Sequence, residues 1–192
     1  MSVTRLRLEQ APTAIRPTDP KDAPAQLRLR VANRAHTGPW DPIRDESFYT
    51  EAGQRLELDL DQRSWSAGSA YAFAVLDTEL GDRLIGRVAL SNVVRGPWQN
   101  ATLGYWIDEG SGGRGHATRA VLLALQFAFE HAGLHRVQPA IIPRNARSVR
   151  VAEKVGFRLE GRALRYLKIN GVCEDHDVYA LTVEDWDQMS GR

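Results

Sequence analysis

Gly110-Ser111-Gly112-Gly113-Arg114-Gly115-His116-Ala117 stands between an apolar, strand-like run, Leu103-Gly104-Tyr105-Trp106-Ile107, and a long amphipathic run that begins at Ala117. Glycine admits positive φ and lets the backbone come close to a ligand. The first amides of a following helix have no intrahelical acceptor and lie at the positive end of its dipole. The octapeptide therefore reads as a cradle for an anionic diphosphate. Nucleotides, dinucleotides and coenzyme A all carry one, so the rest of the chain must say which.

Working outward, residues 71–76, 84–94 and 102–107 are short apolar runs bounded by Gly, Asp, Pro or Asn, and they predict an antiparallel meander ahead of the glycine turn. After it, Ala117, Ala120, Val121, Ala124, Leu125 and Ala128 share one stripe, which predicts a largely buried helix over 117–131, ended by Gly133. Residues 136–142 read as the next strand. Because it follows a crossover helix, it should run parallel to the strand ending at Ile107. Pro139 cannot donate to a ladder, so the two strands should part there and leave a gap for an extended ligand. A short helix over 146–155, ended by Gly156, precedes strands 163–169 and 174–182, which flank the hairpin signal Asn170-Gly171.

Toward the other end, Pro12, Pro17, Pro20 and Pro24 make the first 25 residues irregular, apart from a strand at 3–8 and an extension at 14–16. A helix starts at Asp22 and stops at Gly38-Pro39, and 48–65 reads as a second helical region weakened by Gly53. With no internal repeat, the expectation is one domain over 1–192, of α/β class, with a mixed sheet flanked by helices.

Lys and Arg number 25 against 24 Asp and Glu, so no global field favours nucleic acid and an anion site must come from local clustering. Arg144, Arg147, Arg150 and Lys154 form one cluster, and Arg114, His116 and Arg119 surround the glycine turn. Either group reads equally as a solvated face. Cys173 is the only cysteine, which excludes an internal disulfide and a Cys-rich zinc site and fits a reducing cytoplasm. No apolar run is long enough for a membrane span, and no signal-like block opens the chain. His131 and His135 are separated by the helix breaker Gly133, so no metal site is expected; Asp175-His176-Asp177 reads as cross-strand polar pairing. No nucleophile-elbow serine supports hydrolase chemistry.

Gly110-x-Gly112-x-x-Gly115 matches the dinucleotide fingerprint, but an antiparallel meander precedes it, and the strand after the helix ends Ala140-Ile141-Ile142-Pro143 without an acid. The Walker pattern fails because no Lys-Ser or Lys-Thr follows Gly115. The whole order of elements resembles the GNAT family of acetyl-CoA-dependent N-acetyltransferases. That family's signature is Gln or Arg, two residues, Gly, one residue, Gly or Ala. Arg114-Gly115-His116-Ala117 supplies its second half, and Gly112 stands where Gln or Arg is usual. Pro143-Arg144-Asn145-Ala146-Arg147-Ser148, Ala152 to Phe157, Glu160-Gly161 and Asp177-Val178-Tyr179-Ala180-Leu181 with Asp185-Trp186 resemble its RimJ/RimL branch, which acetylates N-termini of ribosomal proteins. Arg34, Pro39-Trp40-Asp41-Pro42 and Phe48-Tyr49-Thr50 are similar to RimJ-like members.

The resemblance implies a central sheet splayed between its two parallel strands and direct acetyl transfer in a ternary complex with acetyl-CoA, without a metal. Trp106, Ile107, Gly112, Gly113, Arg114, Gly115, His116, Ala117, Asn145, Arg147 and Ser148 are the implied cofactor-binding residues. Ile107, through free backbone amides at the oxyanion, and Asn145 and Ser148, at the acetyl end and the sulfur, are the implied catalytic ones. Helix capping alone accounts equally well for Asn145 followed by Ser148, and His116 reads as a surface residue. Thr102 stands where many relatives carry a basic glutamate and cannot serve as a base; Asp108 and Glu109 read as turn residues, and a water chain is an equal alternative. The loops 38–45 and 96–100 bring Trp40, Trp98, Asp41, Asp45 and Glu46 to the acceptor side, with Trp40 and Trp98 reading equally as core, while Tyr105, Trp106, Tyr166 and Tyr179 read as sheet packing.

Deprotonating an α-amine, reference pKa about 7.7 to 8.0, costs roughly 3 kcal/mol less at neutral pH than deprotonating lysine at about 10.4. This favours a protein N-terminus as acceptor, N-terminal alanine of a ribosomal protein first. A small amine, such as an antibiotic or polyamine, is the rival acceptor, and a CoA-binding module without catalysis is the rival class. The implied partners include neither nucleic acid nor membrane, and the chain is expected to be a monomer or homodimer.

Overall fold

The change to period two after Ala70 is realised as three antiparallel strands, β3 (Tyr71–Asp77), β4 (Arg83–Val94) and β5 (Asn100–Ile107), in a computed structural model that describes residues 6–191. Ahead of them a hairpin of β1 (Leu8–Gln10) and β2 (Thr13–Pro17) adds to the β3 edge. Of the expected strand 3–8, Leu8 falls in β1, residues 6 and 7 do not, and residues 3–5 lie outside the described residues. The expected first helix divides at Asn33 into α1 (Ala23–Ala32) and α2 (Arg34–Thr37). The second begins at Thr50, whose hydroxyl accepts from Gly53 N–H, as α3 (Glu51–Ala67). Gly53 has a packing reason here: a Cβ at that position would lie 2.0 Å from the Ser47 carbonyl, so only glycine lets the preceding turn pack so closely.

After the glycine turn come α4 (His116–Gln126), whose last turn widens to a π-turn over Phe127–His131, β6 (Arg136–Ile141) and α5 (Ala146–Val155). The hairpin β7 (Arg158–Ile169) with β8 (Val172–Thr182) and α6 (Val183–Ser190) complete the chain. The eight strands form one open sheet, ordered β1-β2-β3-β4-β5-β6-β8-β7. Its main core gathers Phe73, Val88 and Leu90 from the strands with Val121, Leu125, Ala152 and Val155 from α4 and α5. On the other face, α1 and α3 pack on each other, joined by a buried hydrogen bond from Gln26 to Gln54.

The register at the centre decides what the sheet can do. β5 and β6 pair in parallel from Asn100 with Arg136 to Leu103 with Pro139, and the ladder stops there. Past Pro139, Ala140 and Ile141 pair with Val178 and Asp177 of β8, while Trp106 and Ile107 stay with Arg87 and Gly86 of β4. The missing N–H of Pro139 therefore sits where the sheet splits into a wedge.

Candidate active site

The wedge opens into a cavity of about 1210 Å³, lined on one side by Gly104 to Glu109 and Ser111 to Gly113, and on the other by residues 139–142 and the start of α5. That exceeds the size of ordinary small-molecule pockets and suits an extended ligand. Asp108 N–H donates to the Ile85 carbonyl of β4 at 2.7 Å. Strand residues alternate in the edge to which their amides point, so Ile107 and Tyr105 direct theirs to the opposite edge, into the wedge.

At the mouth, Gly113 and Gly115 have φ of 76° and 81°, a region that side chains other than glycine enter only with strain. Gly115 is the N-cap of α4 and offers no side chain to the helix. Among the described residues, the amides of residues 113–118 donate to no other backbone group, so the turn and the first helical turn present a row of unpaired donors at the positive helix end. Arg147, Arg150 and Lys154 of α5, spaced three and four apart, line the same cavity.

Of the predicted site residues, Trp106, Ile107, Gly112, Gly113, Gly115, His116, Ala117, Asn145, Arg147 and Ser148 all line this space. The side chains of Arg114 and His116 lead elsewhere. Arg114 reaches Asp77 and Glu79 at the end of β3, 3.0 Å each. The His116 side chain is fully buried, not on the surface: Nδ1 lies 2.8 Å from Thr13 Oγ1 and Nε2 lies 3.4 Å from Asp77, itself buried. Burial pulls the His116 pKa below the ordinary histidine value, against the attraction of Asp77. What these two residues offer an anionic ligand is main chain.

Asn145 caps α5, its Oδ1 accepting from Ser148 N–H at 3.2 Å, and its own N–H closes a turn onto Ile142 O at 2.8 Å. Capping uses the side-chain oxygen and leaves the Nδ2 donors for the cavity. Tyr105 ties β5 to the start of α5, its hydroxyl donating to Ser148 O at 3.4 Å. Burial pushes the Tyr105 phenol up to about 12, so it stays protonated at neutral pH.

The opposite face of the wedge is built from side chains. Trp106 lies under the Arg30 guanidinium, 4.3 Å from ring to Cζ, and Arg30 is 5% exposed with its pKa lowered by burial. Asp41 Oδ2 stands 3.4 Å from Arg30 and faces the cavity beside Trp40 and His36. Trp40 carries the Arg144 guanidinium at 5.3 Å, which also pairs with Glu174 at 2.8 Å, and Asn170 N–H of the β7–β8 turn donates to Asp41 O at 3.0 Å. Asp108 accepts from Asn33 Nδ2 at 2.8 Å and Ser111 Oγ at 3.3 Å, and Glu109 N–H donates to Asn33 Oδ1 at 2.8 Å. The two acids thus fasten α1 to the strand end. Trp98, 55% exposed, lies outside the cavity, because its loop joins β4 to β5 at the far end of β5. Asp45 and Glu46 also do not line it, and Glu46 pairs with Arg34. Sequence reading missed Tyr105 and His36 as cavity residues, and it passed over His176, which is 3% exposed and lines the cavity from β8.

A wedge with free strand amides, a row of helix-end donors and a basic helix can hold a thioester arm with a diphosphate and polarise its carbonyl. Known proteins resemble the chain along most of its length. A family model described as an acetyltransferase (GNAT) domain matches residues 13–158. A Bacillus subtilis protein named as a probable N-acetyltransferase, YjcK, is 40% identical over 91% of this chain and 96% of its own. The ribosomal protein uS5-alanine N-acetyltransferase of Escherichia coli is 32% identical over 96% and 95%. The structure of Mycobacterium smegmatis RimJ in complex with CoA-disulfide superposes with a TM-score of 0.86 at 28% identity, covering 94% of this chain and 90% of that one. With a GNAT model across most of its length and N-acetyltransferases among its relatives, the chain belongs to the GNAT family of N-acetyltransferases.

Proposed function

We propose that this N-acetyltransferase carries the acetyl group of acetyl-CoA to the α-amine of a protein N-terminus by direct transfer, with N-terminal alanine of a ribosomal protein as the leading acceptor. The observation that carries the reading is the 32% identity, over nearly the whole of both chains, to an enzyme named for acetylating the alanine of ribosomal protein uS5.

The main-chain amides of Gly113, Arg114, Gly115, His116 and Ala117 hold the diphosphate, with Arg147 supplying charge. The main chain of Trp106 and Ile107 lines the pantetheine and thioester, the Trp106 ring facing the acceptor side, and the Ile107 N–H meets the oxyanion that develops on the thioester carbonyl. Asn145 Nδ2 steadies the acetyl-bearing end, and Ser148 supplies a hydrogen bond or proton to the departing sulfur. Across the wedge, Asp41 attracts the N-terminal ammonium. The diphosphate is thereby held mainly by main chain, which fits Gly112 standing where a Gln or Arg is usual.

The test is thiol release from acetyl-CoA with an Ala-starting peptide, the same peptide with its N-terminus blocked, and a panel of small amines. Release with the free peptide, absent with the blocked one, and one acetyl group found on the α-amine by mass spectrometry is the expected result. Silence on every peptide, with turnover of a small amine, would overturn the acceptor.

A further inference from the structure

The acceptor ammonium must lose a proton before it can attack, and each carboxylate of the cavity already stands beside a donor or a basic side chain. Asp108 is doubly hydrogen-bonded, Glu109 lies 3.6 Å from His36, and Asp41 faces the Arg30 guanidinium. Resting on the N-acetyltransferase reading above, we propose that His176 is the general base that takes the acceptor's proton.

His176 directly precedes Asp177, the partner of Ile141, and so lies beside the end of β6 where the wedge is open. Strand parity sets its face. Tyr179 and Leu181 of β8 belong to the core beneath α4 and α5, whereas His176 has the opposite parity, shared with Glu174, whose carboxylate pairs with the Arg144 that covers Trp40. His176 therefore stands on the acceptor face, across the wedge from Asn145 and Ser148.

The ring's orientation is fixed by its hydrogen bond. Nδ1 lies 3.0 Å from the carbonyl oxygen of Glu174, which has no proton to give, so Nδ1 donates and the neutral ring carries its lone pair on Nε2. Nε2 has no protein partner among the described residues and keeps some accessible surface, on a residue that lines the cavity. Tyr166 of β7 packs edge-on at 5.8 Å and holds the ring in place. The flanking acids turn outward: Asp175 accepts from Arg165 N–H at 2.8 Å, and Asp177 binds Arg162 at 2.7 and 3.1 Å. A backbone carbonyl, not a carboxylate, orients this base. The charged or titratable groups on its side of the cavity include the Glu174–Arg144 pair, Asp41 with Arg30 beneath it, Asp108 held by Asn33, His36 with Glu109, and Tyr166.

In the step, one N–H bond of the acceptor ammonium breaks and its proton passes to Nε2 and on to solvent. The freed lone pair forms the C–N bond at the thioester carbonyl, and the C–S bond breaks. The second proton lost by nitrogen ends on the departing sulfur, by way of Ser148. The products are the acetylated amine, CoA thiol and one released proton.

The experiment compares His176→Gln and His176→Ala with the wild type, using an Ala-starting peptide between pH 7 and 9.5. At pH 7, kcat/KM should fall about 10²-fold or more. The deficit should shrink as pH rises past about 8, where the α-amine supplies its own free base. Added imidazole should restore part of the His176→Ala rate, and CoA affinity should stay within about twofold. A rate within about threefold of wild type at pH 7 overturns the proposal. So does a loss that is equal at every pH and unanswered by imidazole, which would mark a packing role. If the wild type acetylates only a small amine, the acceptor reading falls, and the same comparison with that amine decides the role of His176.

Discussion

The two walls of the wedge are made of different material. The wall proposed for the cofactor is mostly main chain, the unpaired amides of residues 113–118 and the free edge of β5 at Tyr105 and Ile107, with the side chains of Asn145, Arg147 and Ser148 added at the capped start of α5. The acceptor wall is side chains from four separate segments, Asp41 after α2, Trp106 on β5, Arg144 before α5 and His176 on β8. A site made of main chain depends on local conformation, so glycines are its vulnerable points. A site made of side chains depends on the fold bringing distant residues together, and single polar substitutions should alter it without disturbing the cofactor.

The largest test of that contrast is Gly115→Val. A β-branched residue at φ 81° is strained, and its Cβ would lie 2.8 Å from Arg119 Nη1. Strain of about 1 to 3 kcal/mol, together with misaimed amides, should weaken CoA binding about 100-fold by calorimetry, while the chain still melts cooperatively. CoA affinity near that of the wild type would mean that the turn does not hold the ligand.

Next comes Asp41→Asn, which should raise the KM for an Ala-starting peptide about five- to tenfold, within the 1 to 1.5 kcal/mol of one charge-assisted contact, and leave the CoA dissociation constant unchanged. Equal effects on both ligands would erase the division between the walls. The smallest effect on binding is expected for Arg114→Gln: CoA affinity within about threefold, because the guanidinium serves Asp77 and Glu79. Its cost should fall on stability instead. Asp77 is buried and would lose an ionic partner, for about 1 to 2 kcal/mol and a Tm lower by a few degrees. A tenfold loss of CoA affinity would return Arg114 to the ligand.

The same contrast explains what could be read from the residues. The glycine turn, the parallel pair and its parting at Pro139 are local consequences of φ, of a missing N–H and of crossover handedness, and they stand in the structure where the sequence puts them. The start of β7 at Arg158, earlier than the expected 163, was not legible. It is an edge strand, mostly exposed, with register shifts near Gly161 and after Ala163, so no apolar alternation marks it. The burial of His116 depends on Asp77 and Thr13, 39 and 103 residues away, and nothing near His116 in the sequence signals either. His176 was hidden for a related reason. Its neighbours Asp175 and Asp177 look like its partners, whereas the hydrogen bond that matters goes to a backbone carbonyl, which no residue type encodes.

The central claim is that main-chain donors at the loop-to-helix junction hold a diphosphate and so place the thioester in the wedge. Calorimetric titration of the wild-type chain with CoA and, separately, with pantetheine, which has the same thiol arm and no diphosphate, tests it most directly. CoA should bind at least about 100-fold more tightly than pantetheine, a difference of roughly 2.7 kcal/mol. Equal affinity for the two, or no affinity for CoA, would contradict the account.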